Sequence, residues 1–122
     1  MALPILIALA GLMGVAGIML AAAGAHVAPG SGLDSAASML LFHAAAMLGG
    51  AALMQQGVLW RPLAIAVLTA WVLGAALFSG DIALRAFAAY RLFPFAAPSG
   101  GFLLIAAWLA LAVAAVAALL RD

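Results

Sequence analysis

Residues 100–120 read GGFLLIAAWLALAVAAVAALL, a run from Gly100 to Leu120 without one charged side chain. A hydrocarbon layer about 30 Å thick is crossed by roughly 20 apolar residues in helical form, and this run reaches that length unaided. Working toward the N-terminus, three more stretches have the same character, at about residues 62–84, 35–54 and 3–25. Ala and Leu dominate them, both strong helix formers. None alternates in polarity over about 9–11 residues, as the strands of a membrane barrel do. The expectation is an all-α membrane protein, four transmembrane helices in an antiparallel up-down bundle, occupying 1–122 as a single domain.

Composition excludes the other broad classes. Of 122 residues, 71% are hydrophobic and 6% charged, with net charge +1 and mean hydropathy +1.40. A soluble domain is nearer half apolar and a quarter charged. A disordered chain needs charge and little apolar content, and electrostatic nucleic-acid binding needs a basic surface. The absence of cysteine excludes disulfides, thiolate zinc sites, iron–sulfur clusters and cysteine nucleophiles. Neither a metal nor a cofactor is expected. The small-residue run Ala21-Ala22-Ala23-Gly24-Ala25 could end a signal peptide. No Lys or Arg precedes it, however, and the apolar core exceeds the usual length of about 7–15 residues. A retained first helix is expected.

Three punctuated connections separate the spans. The first contains Ala28-Pro29-Gly30-Ser31-Gly32, the second Gly57, Trp60 and Arg61, the third Arg85, Tyr90, Arg91, Pro94 and Pro98. If odd helices run from face A to face B, Arg61 and Arg121 belong to face A, and Arg85 and Arg91 to face B. The positive-inside count is tied, which leaves orientation open. Polar groups gather toward face B, including His26, Asp34, Asp81 and Arg85. His43 lies about 12 Å deeper, at 1.5 Å of rise per residue.

Apolar burial cannot drive helix association in lipid, whereas close approach at small residues can. Stripes of such residues place Gly14, Gly17, Gly50, Gly74, Ala110 and Ala114 at expected helix contacts. Ionisable groups in a span are expensive and are functional candidates by default. Asp81 and Arg85, at i,i+4, read as an ion pair tying down a helix end or as part of a polar site. His43 is either a satisfied core imidazole or a proton relay, and ligation would need His26 to fold inward. No nucleophile–base–orienter set and no phosphate-cradling loop is present. Enzymatic activity is therefore not expected.

Several ordered pieces carry a family resemblance: Ala23-Gly24-Ala25-His26-Val27, Phe42-His43-Ala44, Leu77-Phe78-Ser79-Gly80, Ala97-Pro98-Ser99-Gly100-Gly101 and Trp108. In order and spacing the chain resembles the bacterial family called domain of unknown function 423, whose eukaryotic relatives are named transmembrane protein 256. The resemblance implies a four-helix inner-membrane protein with His26 and His43 at motif positions, and it implies no established activity. Members commonly have serine-leucine-tyrosine after the serine-glycine of the third helix, where this chain has Asp81-Ile82-Ala83.

The functional expectation is a non-catalytic, multi-pass protein of the bacterial inner membrane, acting as an accessory subunit of a membrane complex or as a homo-oligomer. Its partners would be the lipid bilayer and other membrane proteins or copies of itself, with no nucleic acid. The alternative is a transporter, or a binder of a small ligand or lipid, with a face-B pocket formed by His26, His43, Asp81 and Arg85.

Overall fold

A computed structural model describes residues 1–121 of the chain. It contains four α-helices: α1 (Ala2–His26), α2 (Leu33–Gln55), α3 (Arg61–Ala88) and α4 (Ala96–Leu119). Each is long and apolar enough to cross a membrane. Their successive connections are short, so the chain makes two antiparallel hairpins, α1–α2 and α3–α4, joined along α2 and α3. Helix α1 also touches the edge of α3. Among the described residues α1 and α4 are not neighbours, and the bundle is open on that side. The two outer helices are accordingly the least buried, and their exposed Leu, Ile, Val and Phe side chains suit contact with lipid.

Two helix boundaries differ from the sequence expectation for identifiable reasons. Helix α4 starts at Ala96 rather than near 100, with Pro98 inside its first turn. A proline is harmless there, because the N–H it lacks would have had no partner in the helix anyway. Helix α3 continues to Ala88 instead of ending near 84, and the Asp81–Arg85 pair spans the extension. Its 28 residues measure about 42 Å, longer than the hydrocarbon layer, and Arg85 stands in its last turn. Prolines also stand in the opening turns of α1 (Pro4) and α3 (Pro62). None breaks a helix interior.

Several helix contacts are made at small residues. A side-chain carbon added to Gly17 would lie 2.7 Å from Leu41 Cγ, and one on Gly50 2.8 Å from Leu68 Cδ2. The tightest approach joins α3 and α4. A carbon on Gly100 would lie 2.6 Å from both the Gly74 carbonyl oxygen and the Phe78 nitrogen, which are backbone atoms and cannot swing aside. Gly74 packs reciprocally, under Leu104. Ala114 is fully buried, and its carbonyl accepts the Trp60 N–H at 3.0 Å, closing the face-A end of this hairpin. Ala110 is partly buried beside the core. Gly14 departs from the expectation: nothing lies within 4 Å of a carbon added there, so it makes no close helix contact within the subunit.

Gly100→Ala is expected to lower the thermal stability of the detergent-solubilised protein, by an amount equivalent to about 1–3 kcal/mol of overpacking. Gly14→Ala, with open space around it, should leave the melting temperature unchanged or slightly raised. Equal melting temperatures for the two variants would contradict the α3–α4 contact described.

Candidate functional site

Three polar clusters occur where the sequence has polar residues within or beside its spans. The deepest centres on His43. Ten residues into α2, it lies roughly 15 Å along the helix and is 5% exposed. Its Nδ1 is 2.7 Å from the Met39 carbonyl one turn earlier, and its Nε2 is 3.1 Å from Trp108 Nε1 on α4. An indole nitrogen can only donate, so Nε2 is the acceptor. Nδ1 therefore carries the proton and donates to Met39. A neutral imidazole with this tautomer has both nitrogens satisfied. Trp71 of α3 completes the group, with its ring 6.0 Å from His43 and 4.6 Å from the Trp108 ring between centroids. Its own Nε1 is buried without a partner. Three helices thus meet at one histidine and two tryptophans, and the His43–Trp108 bond is what links α2 to α4.

The second cluster joins α2 to α3. Ser79 is buried and its hydroxyl donates to the Ala36 carbonyl at 2.8 Å. Serine in a helix interior commonly bonds back to its own helix, as Thr69 does here to Ile65. Ser79 instead crosses to a neighbouring helix.

Asp81 organises the third. It is 2% exposed, and its two oxygens have separate partners. Oδ1 accepts the Leu92 backbone N–H at 3.0 Å, and Oδ2 lies 3.4 Å from Arg85 Nε. Leu92 belongs to the α3–α4 connection, which contains two non-glycine residues of left-handed conformation, Ala89 (φ 58°) and Phe95 (φ 68°). Such residues are sterically disfavoured and need support from their surroundings. Asp81 supplies it by pinning the middle of the connection to the helix.

The structure brings Asp81 and Arg85 together and keeps them apart from His43. Trp71, beside His43, and Asp81 are roughly ten residues apart on α3, about 15 Å of helix. His26 is exposed at the last residue of α1, where a basic group complements the helix dipole. Among the described residues no group of three His, Cys, Asp or Glu side chains is placed to hold a metal ion. The sequence shows the residue types and the Asp81–Arg85 spacing, but not the partners on other elements. Trp108, Ser79 and Leu92 were not singled out for bonding, because each partner lies on a different helix or in a loop.

This architecture, four apolar helices locked by small-residue contacts and a few interhelical hydrogen bonds, defines a small multi-pass membrane protein. The chain belongs to the family described as Protein of unknown function (DUF423), whose model matches residues 20–101. That segment includes His26, His43, Ser79, Asp81 and Arg85, while Trp108 falls beyond it. No curated protein and no solved structure gives a significant match.

A double-mutant cycle of His43→Leu and Trp108→Phe should give a coupling of about 0.5–2 kcal/mol, the range found for interhelical hydrogen bonds in membranes. Additive losses in a detergent unfolding assay would contradict the bond. At Asp81, Asn keeps an acceptor for Leu92 and should be much better tolerated than Leu. Limited proteolysis across residues 89–95 should accelerate in Asp81→Leu and change little in Asp81→Asn.

Proposed function

We infer that this is a non-catalytic protein of the bacterial cytoplasmic membrane that works by association, as an accessory subunit of a membrane complex or as a homo-oligomer. The observation that carries this reading is the outer surface of α1. Ile7, Gly11, Gly14 and Ile18 follow one another at helical spacing, and additions at Gly11 and Gly14 would meet nothing within 4 Å. Glycine inside a helix costs about 1 kcal/mol relative to Ala, and here no contact within the subunit makes use of it. A second helix laid into that shallow groove would bring backbones into close approach, the main route to helix association in lipid. The polar side chains of the interior support the same reading. His43, Ser79 and Asp81 are engaged in internal bonds that hold the fold, which leaves no converging acid, base and nucleophile.

Native mass spectrometry from a mild detergent should show a multimer of this chain or a stoichiometric complex with another membrane protein. Gly14→Leu fills the outward groove without touching the core, so it should dissociate that assembly while leaving helix content and melting behaviour near those of the wild type. A wild-type protein that remains a partner-free monomer in both detergent and nanodiscs would overturn the reading.

A further inference from the structure

A groove of about 510 Å³ opens at the face-B end, between the opening turn of α2 with the loop before it and the last turns of α3. Its polar side chains are Ser31 and Ser35 on the α2 side and Arg85 facing them from α3. The rest is apolar, with Phe78, Ile82 and Ala86. We propose that this groove binds the phosphate of an anionic phospholipid, with Arg85 as the principal ligand and Ser35 as a second donor.

The charge and hydrogen-bonding inventory supports an anion. Arg85 is half-exposed, and its Nε faces Asp81 while the guanidinium retains further donors in a fixed fork. That fork suits phosphate oxygens bidentately. Asp81 is buried and already shared with Leu92, so it presents no open carboxylate to the groove and competes only for the Nε side of the arginine. Ser31 and Ser38 direct their protons to the carbonyls of Ala28 and Asp34. Ser35, exposed between them, has no protein acceptor among the described residues. The other acidic side chain nearby, Asp34, approaches Gly24 of α1 and so turns toward α1.

Position and shape favour a lipid over a dissolved phosphate. Arg85 stands in the last turn of α3, at the polar end of an apolar helix, and the apolar wall descends from it along α3 through Ile82 and Phe78. A phosphodiester held at Arg85 would have its glycerol and first acyl carbons against those two side chains.

Binding can be followed by native mass spectrometry of the full chain in a lipid-free detergent, titrated with dioleoylphosphatidylglycerol, dioleoylphosphatidylcholine or inorganic phosphate. The anionic lipid should bind several-fold more tightly than the zwitterionic one, and millimolar phosphate should neither bind nor displace it. Arg85→Gln should weaken retention of the anionic lipid roughly tenfold, the loss of one charge-assisted contact. Ser35→Ala, on an exposed position, should weaken it less, and Arg91→Gln should have no effect. Asp81→Asn removes the competing charge while keeping the Leu92 acceptor, so it should tighten binding, a change that a purely structural Arg85–Asp81 pair would not give. Equal binding of the two lipids, unchanged retention in Arg85→Gln, or no gain in Asp81→Asn would overturn the proposal. Displacement of the lipid by inorganic phosphate would overturn the choice of a lipid.

Discussion

In hydrocarbon a peptide group has no water to turn to, so each span must pair its own amides as a helix, and helices can then cohere only through close contact and a few polar bonds. The α3–α4 approach at Gly74 and Gly100 shows the consequence most directly. Backbone atoms of one helix occupy the space where a side chain of the other would begin. Around this contact Leu104, Ala107 and Ala114 become buried, and Trp60 closes the far end on the Ala114 carbonyl. The α1–α2 hairpin repeats the device more loosely, with Gly17 against the flexible end of Leu41.

Between the hairpins, polar bonds act beside the contact of Gly50 with Leu68. Ser79 to Ala36 and Trp108 to His43 both cross from the α3–α4 hairpin to α2. The Trp108–His43 bond pairs a donor and an acceptor, and the Ser79–Ala36 bond a donor, that would otherwise be unpaired in a low-dielectric interior, where an orphan group is costly. They also fix the rotation of α2 relative to α3 and α4, which contacts between alanines alone would specify poorly. Asp81 extends the same economy to the membrane edge by holding a connection that contains two left-handed residues.

His43, Ser79 and Asp81 are engaged in internal bonds, and the two places proposed for association and for lipid lie elsewhere. The outward glycines of α1 and the half-polar groove beside Arg85 are distinct places on the molecule. One is suited to another helix, the other to an amphiphilic anion. Both face the bilayer or its boundary, where a small protein with short connections has nearly all of its accessible area.

The sequence by itself determined that this is a four-helix membrane protein, because the length and uninterrupted apolarity of a run such as 100–120 are set by bilayer thickness and need no partner to be read. Small side chains at helical spacing, Gly17, Gly50 and Gly74 among them, are also legible in the sequence, whereas what each meets is set by the packing. Helix ends were less legible: Pro98 reads as a breaker, yet it sits without cost where the first turn needs no N–H. Only the tertiary structure decided that His43 meets Trp108, that Ser79 meets Ala36, that Asp81 reaches Leu92 and that Gly14 is left uncovered. Those pairings depend on the rotation of each helix about its axis. In a chain apolar on every side no amphipathic stripe records that angle, and it emerges only when the helices pack.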